Sequence, residues 1–330
     1  MSPATVGRTG ERELVRMIRR SFPATRRDVL MGIGDDAAVL RPGTKPWVLT
    51  KDLLVEDVDF RRRLHPPYFI GRKSLAVNIS DAAAMGARPA FALLGLGLPA
   101  DLELAWVREF LRGFRSMARE HGVDLVGGDL SAAREIVVSV TIIGAADRVV
   151  GRGGARPGDW LFVSGTLGDA ALGFALLERG GGGGRARAAA SLRRAFLDPV
   201  PRVELGLDLV RLKLPSAMID VSDGLSVDLA HLCEASGTGA EVELGRIPLS
   251  AGMVRLGGPK TLDYALNGGE DFELLFAVRP TRCNRVSLTR LGRRHAITLI
   301  GKIMAGKGVA AVSSDGSRRP LSVRGYEHFR

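Results

Sequence analysis

The chain has 330 residues, of which 45% are hydrophobic, and a formal net charge of +11. This length allows a sizeable core and favours two domains over one. The chain has no apolar run of the roughly 18 residues that a membrane span needs, its N-terminal segment lacks the apolar core of a signal peptide, and its two cysteines have no metal-ligand spacing. The composition therefore favours a cytoplasmic protein that has no membrane partner and no disulfide framework.

The positive charge raises the question of nucleic-acid binding, because Lys and Arg contact phosphate groups. However, the 47 Lys and Arg residues are spread through the whole chain, and aromatic residues make up only 5% of it. No segment alternates Arg with aromatic residues, as a stacking surface for bases would. We therefore expect no nucleic-acid partner and a basic surface that attracts anionic substrates.

The first half of the chain is predicted to alternate between helices and strands. Apolar residues at helical spacing predict an amphipathic helix over residues 11–22. A Gly-Asp turn at residues 32–36 comes next. The remaining predicted elements are a strand at 47–55, a helix at 67–87, a strand at 92–98, a helix at 101–121 and strands at 123–127 and 136–145.

The second half repeats this kind of alternation after a segment with the composition of a linker, residues 151–158. The linker predicts one domain over residues 1–150 and another over residues 151–330. The predicted elements of the second domain are strands at 160–164, 217–221, 240–244, 273–278, 297–303 and 308–312 and helices at 168–179, 187–197, 202–213, 225–236 and 281–292. The fold class is therefore α/β (α+β), with two lobes.

Six acidic sequences share one pattern, in which a short apolar segment is followed by Asp near Gly, Ser or Thr. They are Asp35-Asp36, Thr50-Lys51-Asp52, Ser80-Asp81, Gly127-Gly128-Asp129, Asp220-Val221-Ser222-Asp223-Gly224 and Gly268-Gly269-Glu270-Asp271. Taken singly, each fits a turn or a helix cap. Together they offer the hard oxygen ligands that Mg²⁺ takes when it bridges carboxylates to phosphates. Carboxylates that converge without cations would repel one another, so convergence implies metal.

Two of these sequences are more specific than the others. Asp220 ends a predicted strand, and a helix starts soon after it near Leu225, which leaves free N–H groups that favour an anion. Asp81 lies in an otherwise apolar helix, where a lone carboxylate is costly to bury unless it is paired or metal-bound. The sequence Ser164 to Asp169 is predicted to be a strand-to-helix turn capped by Thr166 or Asp169.

Other phosphate and nucleophile motifs are missing from the sequence. It has no Gly-x-x-x-x-Gly-Lys-Ser/Thr loop, no protein-kinase motif set and no Gly-x-Ser-x-Gly elbow. The five histidines show no metal-ligand spacing, so surface or packing roles are expected for them. A carboxylate-held Mg²⁺–polyphosphate site is the chemistry that the motifs favour.

The acidic motifs and their flanks resemble one family, the thiamine-monophosphate kinases of the aminoimidazole-ribonucleotide synthetase-like superfamily. The matching segments span nearly the whole chain. They are Gly-Ile-Gly-Asp-Asp (32–36), Asp-Leu-Leu-Val-Glu (52–56), Ala-Val-Asn-Ile-Ser-Asp-Ala-Ala-Ala-Met-Gly-Ala (76–87), Gly-Gly-Asp (127–129), Ser-Gly-Thr-Leu-Gly-Asp (164–169), Ile-Asp-Val-Ser-Asp-Gly-Leu (219–225), Gly-Gly-Glu-Asp-Phe-Glu-Leu (268–274) and Gly-Tyr-Glu-His-Phe (325–329).

The resemblance implies the two-lobed synthetase-like fold, a homodimer in which the N-terminal lobes pair their sheets, and ATP-dependent phosphorylation of thiamine monophosphate with several Mg²⁺ ions. The metal ligands that it implies are Asp36, Thr50, Asp52, Asp81, Asp129, Asp220 and Asp223. The ATP-binding residues that it implies are His121, Gly128, Asp129, Arg152 and Ser222. The residues that it implies for thiamine monophosphate are Asp59, Glu270 and Tyr326.

Two positions depart from the family pattern. Lys51 stands where the family usually has Thr beside a metal-binding Asp, and a protonated Lys side chain cannot ligate Mg²⁺. Asp59 stands where the family often has His. Both changes could reduce activity or alter the acceptor.

The acceptor of this reaction is a phosphate oxygen that is already ionised near neutral pH. Direct in-line transfer, with no general base and no covalent nucleophile on the protein, is therefore expected. Two alternatives remain open. One is another ATP-using synthetase of the same superfamily, and the other is a basic nucleic-acid-binding protein whose Asp turns are only structural.

Overall fold

The computed structural model describes residues 5–9, 11–23, 26–27, 29–31, 39–40, 43–179, 186–282, 291–292 and 294–325. The chain forms two compact units: Met1–Ala82 with Arg88–Asp147, and Ala83–Ala87 with Arg148–Arg330. Both units mix helices with a sheet. Within the part of the chain that the structure describes, the helices are too short or too polar to span a lipid bilayer.

The first unit contains two sheets and four helices among its described residues. The helices are α1 (Val6–Thr9), α2 (Glu11–Ser21), α3 (Pro67–Ala84) and α4 (Leu104–His121). The strands are β1 (Val29–Met31), β2 (Val39–Leu40), β3 (Trp47–Val55), β4 (Arg88–Leu98), β5 (Asp124–Ala132) and β6 (Val137–Ala145). β1 and β2 form a small sheet, and the larger sheet has the order β3-β6-β4-β5.

The larger sheet of the first unit has one buried and one more exposed face, as alternating strands do. Val138, Val140 and Ile142 of β6 are buried, whereas the residues between them are only half-buried. Leu49 and Leu53 of β3 are 63% and 50% exposed. Two exposed leucines therefore lie on this edge strand, with the exposed Lys51 between them.

Two glycines let helices α3 and α4 approach closely. A Cβ atom on Gly71 would lie 2.0 Å from the backbone oxygen of Phe110, and one on Gly113 would lie 1.8 Å from that of Tyr68. Any larger residue would force the two helices apart. This contact positions α3, which carries Asp81.

The second unit contains a seven-stranded sheet of order β13-β12-β9-β11-β7-β10-β8. Its strands are β7 (Trp160–Ser164), β8 (Pro215–Val221), β9 (Gly239–Glu243), β10 (Glu273–Val278), β11 (Ile297–Met304), β12 (Gly308–Val312) and β13 (Arg318–Pro320). Its helices are α5 (Asp169–Glu178), α6 (Ala186–Leu197), α7 (Val203–Arg211), α8 (Leu225–Ser236), α9 (Ala251–Leu256) and α10 (Thr261–Asn267).

Strands β7, β8 and β10 of this sheet are buried on both faces, which explains their continuous apolar runs. On one face Ile219 and Leu275 pack with Leu229 of α8. On the other face Met218 and Phe276, together with helix α7, form a second cluster. β8 is thus an edge strand whose two faces are both covered. Its last residues, Asp220 and Val221, are buried at the edge of the sheet.

Most predicted elements are confirmed. The strands at 47–55, 160–164, 273–278 and 308–312 and the helix at 225–236 have the predicted limits. The helix predicted at 67–87 ends at Ala84, since Gly86 adopts a φ of 71° in the turn that follows. The helix predicted at 101–121 begins at Leu104 with Glu103, not Asp101, as its N-cap. The helix predicted near 281–292 lies largely outside the described residues.

The segment 151–158 has the composition of a linker but is held to the second unit. Ala155 is buried and its N–H donates to the Ser236 hydroxyl at 3.2 Å. The Gly158 N–H donates to the carbonyl oxygen of Ile303 at 2.9 Å. The chain is thus already anchored to α8 and β11 before β7 begins.

Candidate functional site

In the first unit, helix α3 and strand β3 bring three of the predicted metal ligands together. The Thr50 hydroxyl donates to the Asp81 carboxylate at 2.5 Å. The Asp52 N–H donates to the Asn78 side-chain oxygen at 3.0 Å. Asn78 and Asp81 are three residues apart and so share one face of α3. This face holds Asp81 beside Thr50 and Asp52.

The pKa of Asp52 shows how unfavourable this arrangement is for carboxylates alone. Burial, followed by the charges of Asp81 and Asp59, raises the pKa of Asp52 from 3.8 to about 7. A bound cation would reverse the repulsion and favour the ionised carboxylate. The donor set of two carboxylates and a hydroxyl suits Mg²⁺. The residues present therefore fit a divalent cation.

Lys51 does not point into this carboxylate group. Side chains alternate along β3, and Lys51 is exposed together with Leu49 and Leu53, whereas Thr50 and Asp52 are half-buried on the other face. The Lys51 ammonium is therefore directed away from Asp52. The Lys that departs from the family pattern therefore lies on the exposed face of the sheet and not in the carboxylate group.

Asp59 has a structural contact as well as a predicted role with the substrate. Its carboxylate accepts a hydrogen bond from the Val55 N–H at 2.8 Å and closes the turn after β3. Asp57 in this turn has a φ of 62°, which only a tightly held turn maintains in a residue other than Gly. Asp59 also acts electrostatically on Asp52. Its role toward the substrate stays a prediction.

Gly128 and Asp129 lie on β5, at the opposite edge of the sheet from Asp52. Two strands lie between β3 and β5, so the edges are separated by roughly 14 Å at ordinary strand spacing. Asp129 pairs with Gly95 and its side chain is exposed. A Cβ atom on Gly128 would lie 1.9 Å from the Leu94 oxygen, so this position requires Gly.

The other predicted residues of the first unit and of the tail lie apart from this group or outside the described residues. His121 is the last residue of α4 and is half-buried. Asp36 and Tyr326 lie outside the described residues. The first unit thus brings together Thr50, Asp52 and Asp81, but one chain does not add Asp129 to them.

In the second unit, the most specific of the acidic sequences begins at the end of the edge strand β8. Asp220 is 3% exposed at the end of this strand, and Ser222 and Asp223 follow in the turn before α8. Gly224 has a φ of 115°, which requires Gly. Asp220 in the strand and Ser222 and Asp223 in the turn therefore lie just before the start of a helix.

Asp228, in the first turn of α8, belongs to the same acidic group and was not predicted from the sequence. It is 1% exposed and its carboxylate accepts hydrogen bonds from the N–H groups of Asp223 and Gly224, each at 3.1 Å. Burial, followed by the charges of Asp223 and Asp220, raises the pKa of Asp228 from 3.8 to about 8. This is the same unfavourable crowding of carboxylates as around Asp52.

His231 joins the same group. Ligand atoms of Asp223, Asp228 and His231 lie within 4.8 Å of one another, which is close enough for a shared cation. The spacing Asp228–His231 is i, i+3 on a helix and places both residues on one face. That spacing was a usable signal in the sequence.

The loop before β10 wraps around the end of β8 in an unusual backbone conformation. Glu270 and Phe272 have φ values of 61° and 49°. The Glu270 N–H donates to the Ser222 oxygen at 2.7 Å, and the Phe272 N–H donates to the Val221 oxygen at 2.9 Å. These bonds hold the loop in a conformation that costs energy in residues other than Gly, and they place Glu270 beside the Ser222 turn.

Asp271 and Glu273 anchor this loop. The Asp271 carboxylate accepts hydrogen bonds from the N–H groups of Gly168 and Ala170, at 2.7 and 3.3 Å. Asp271 thus has the capping role that each acidic sequence fits when taken singly, and it supplies the cap of α5 that Thr166 or Asp169 was expected to supply. Burial raises the pKa of Asp271. The buried Glu273 carboxylate accepts a hydrogen bond from Arg202 Nε at 2.7 Å.

Arg152 lies in the segment before β7, and its side chain is exposed. Its backbone oxygen accepts a hydrogen bond from the Ser236 hydroxyl at 3.1 Å. The second unit therefore positions the backbone of Arg152 and leaves its guanidinium in solvent. Its contact with ATP stays a prediction.

Family models assign both parts of the chain to one class. Residues 34–146 match the AIR synthase related protein, N-terminal domain, and residues 156–313 match the AIR synthase related protein, C-terminal domain. A structure of the hydrogenase maturation protein HypE in complex with ATP is 20% identical to the chain with a TM-score of 0.76, and it shares the fold. The expected two-lobed synthetase-like fold is confirmed.

Sequence relatives point to one family within this class. Thiamine-monophosphate kinase from Escherichia coli K12 is 37% identical, with 97% of this chain and 98% of the relative covered. The Aquifex aeolicus enzyme is 36% identical, with 90% and 92% covered.

Solved structures agree with these relatives. A thiamine-monophosphate kinase from Stenotrophomonas maltophilia K279a covers 96% of this chain and 98% of its own, with 37% identity and a TM-score of 0.81. A structure described as AaThiL complexed with AMPPCP and TMP covers all of both chains, with 33% identity and a TM-score of 0.79. The chain belongs to the thiamine-monophosphate kinase family.

Proposed function

We propose that this chain transfers the γ-phosphoryl group of ATP to thiamine monophosphate and so forms thiamine diphosphate, as a cytoplasmic enzyme. The observation that carries the proposal is the pair of crowded carboxylate groups around Asp52 and Asp228. Each is unfavourable without a cation, and the kinase relatives match this chain over nearly its whole length. A 33% identical relative is described in complex with AMPPCP and TMP, which supports ATP as the donor and thiamine monophosphate as the acceptor.

The metal-binding residues of this proposal fall into two sets. In the first unit Thr50, Asp52 and Asp81 would hold Mg²⁺, with Asp36 as a further predicted ligand. In the second unit Asp220 and Asp223 would hold it, and Asp228 and His231 are added by the geometry. Bound Mg²⁺ supplies the positive charge that allows two anionic phosphates to approach.

The protein's own residues would bind and orient the two substrates. Gly128, Ser222 and the exposed Arg152 are proposed for the phosphates of ATP, and His121 is proposed near the adenine. Arg152 would donate charge-assisted hydrogen bonds to phosphate oxygens. Asp59, Glu270 and Tyr326 are proposed on the acceptor side.

Direct in-line transfer is the proposed reaction path. The acceptor oxygen needs no base because phosphate is ionised near neutral pH, and alignment of the two substrates therefore supplies most of the catalysis. No covalent phospho-enzyme is proposed.

A homodimer in which the first units of two copies pair their sheets is also proposed. Leu49 and Leu53 are exposed apolar residues on the edge strand β3, and they suit such a contact. Within one chain, Asp129 and Asp52 lie on opposite edges of the sheet. If β5 of one copy lies beside β3 of its partner, Asp129 comes close to the edge strand that carries Asp52 in the other copy. The dimer would thus reconcile the position of Asp129 with its predicted role.

The test is Mg²⁺-dependent release of ADP on addition of thiamine monophosphate. Wild-type protein is expected to release ADP only with both Mg²⁺ and this acceptor. Asp220→Asn keeps the shape of a buried side chain but loses its charge, and we expect turnover to fall by at least about a hundredfold with the melting temperature retained. ADP release with another acceptor and not with thiamine monophosphate would favour a different synthetase, and near-normal turnover of Asp220→Asn would remove its metal role.

A further inference from the structure

A buried ion pair lies at the start of strand β10. Glu273 is 3% exposed, and Arg202, the residue before helix α7, donates to both oxygens of its carboxylate, from Nε at 2.7 Å and from Nη2. Both groups are planar, so the two parallel bonds fix direction as well as distance. The pair therefore holds the start of β10 to the chain before α7 in one orientation.

The turn after β7 is built around this carboxylate. The Ser164 hydroxyl donates to the Glu273 carboxylate and accepts from the Leu274 N–H at 2.9 Å. Gly165 has a φ of 57°, and a Cβ atom there would overlap Glu273 Oε1. A side chain at position 165 would therefore push the carboxylate away from Arg202. The turn that starts at Ser164, which has no part in the proposed reaction, thus seats the carboxylate.

The same turn holds the loop before β10 through a second acid. The Asp271 carboxylate accepts hydrogen bonds from the N–H groups of Gly168 and Ala170. Asp271 and Glu273 are two residues apart, and Phe272 between them is buried with a φ of 49°. A residue other than Gly keeps a positive φ only where its surroundings determine it. The two anchored acids therefore fix the conformation of the loop.

The anchored loop is bonded directly to the turn that carries the proposed Mg²⁺ ligands of the second unit. The Glu270 N–H donates to the Ser222 oxygen at 2.7 Å. Leu274 pairs with Asp220 across the ladder between β10 and β8. The positions of Asp220 and of the Ser222 turn therefore depend on how firmly the start of β10 is held.

Removal of the Arg202 guanidinium would leave an uncompensated charge inside the second unit. The Arg202 side chain is 37% exposed, whereas the Glu273 side chain is 4% exposed. A buried carboxylate that loses its partner takes up a proton or draws water toward itself. Either response loosens the start of β10 and, with it, the Ser222 turn.

We infer that Arg202 is a positioning residue for the divalent-cation site of the second unit, because it fixes Asp220 and the Ser222 turn through Glu273. The inference rests on the proposed function, which places Mg²⁺ at Asp220 and Asp223. The role needs no contact of Arg202 with the cation or with a substrate. Loss of the guanidinium therefore weakens cation binding in a protein that is still folded.

Binding of Mn²⁺, followed by electron paramagnetic resonance without nucleotide, measures the cation site separately from turnover. The Mn²⁺ sites that Asp220→Asn abolishes are those of the second unit. We expect Arg202→Met to weaken Mn²⁺ binding there at least about tenfold, as the loss of a group that supports metal ligands does. Arg202→Lys keeps the charge but not the two parallel bonds, and its affinity should lie between those of Arg202→Met and wild type. Arg211→Met, which removes an ion pair with the buried Asp208 on α7, is the matched control and should leave the affinity unchanged.

Ser164→Ala is a milder second variant, since it removes one bond to Glu273 and leaves Arg202 in place. It is expected to weaken Mn²⁺ binding about threefold, and it serves as the test if Arg202→Met does not fold. Thermal melts distinguish a positioning role from a purely structural one. Arg202→Met and Arg211→Met should both melt below wild type, but only Arg202→Met should lose Mn²⁺ affinity. Mn²⁺ binding equal to wild type in every folded variant of Arg202 and Ser164 would overturn the inference.

ADP release by wild type tests the proposed function independently. Normal ADP release, together with Mn²⁺ binding that does not depend on Arg202, would overturn the positioning role and leave the kinase. Absence of ADP release, together with Arg202-dependent Mn²⁺ binding, would overturn the kinase and keep the positioning role. A wild-type protein without an Asp220-dependent Mn²⁺ site would overturn the inference as well.

Discussion

At the scale of single residues, Asp228 shows how burial and neighbouring charge alter one carboxyl group. Its pKa of about 8 lies above the ordinary value of 3.8, so the folded protein holds a proton that the unfolded chain releases between these pH values. The stability that this proton contributes is fully present below about pH 4 and is lost as the pH rises through about 8.

Replacing Asp228 by Asn should remove this pH dependence. Asn keeps an oxygen that can accept from the N–H groups of Asp223 and Gly224 but cannot ionise. Without Mg²⁺, the variant is expected to melt about 5 °C above wild type at pH 8.5, and the difference should vanish near pH 4. Melting curves over this pH range check the prediction, with Glu234→Gln as the control. Parallel curves for wild type and Asp228→Asn would contradict it.

The residues of the site were only partly predictable from the sequence. The grouping of Thr50, Asp52 and Asp81 was predictable, because β3 and α3 are clear in the sequence. The polar residues of these two elements lie on the sides that face each other. Asp129 lies at the far edge because strand order is set by tertiary pairing, which no local pattern contains. Asp228 was missed because a buried Asp inside a helix has no turn signal beside it, and its i, i+3 spacing to His231 was the one local sign of its role.

At the scale of elements, the crossing of α3 and α4 depends on glycine. Gly113→Ala would place a Cβ atom against the Tyr68 backbone oxygen, where no side chain can move aside. We expect a loss of about 2 kcal/mol or more in the free energy of unfolding. Gly43→Ala, which meets no atom within 4 Å, is the control. Denaturant melts measure both, and equal stabilities would show that the helices can separate without cost.

The elements themselves were largely predictable where they are long or strongly periodic. Strand β10 and helix α8 have their predicted limits because uninterrupted apolar runs and helical periodicity are clear at those lengths. Helices α9 and α10 have six and seven residues and were missed. Such short helices are defined by their packing more than by periodicity, and α10 carries Asn267, whose side-chain oxygen accepts a hydrogen bond from the Ser226 hydroxyl.

At the scale of the whole molecule, the proposed dimer can be tested through the exposed leucines of β3. Leu53→Arg would place a charge in the centre of the pairing face, and we expect the mass in sedimentation equilibrium to fall from two chains to one. Val254→Arg, at a 68% exposed position on α9, should leave the mass unchanged. A wild-type protein that sediments as a single chain would exclude the dimer.

Turnover of the Leu53→Arg variant adds a second measurement to the same question. If Asp129 reaches the Asp52 edge only across the dimer, ADP release should fall together with the loss of association, and it should recover at protein concentrations that restore the dimer. Full turnover of a chain that sediments alone would mean that Asp129 has no part in metal binding.

The exposed position of Lys51 affects the proposed dimer. Its side chain lies on the same face as Leu49 and Leu53, away from the carboxylate group. Each copy would bring one ammonium group to the face that two copies share. Charges at a contact respond to the counterions around them over about 8 Å in physiological salt. Dissolved salt would therefore alter how tightly two copies associate, while the half-buried carboxylate of Asp52, on the other face of the strand, is screened less.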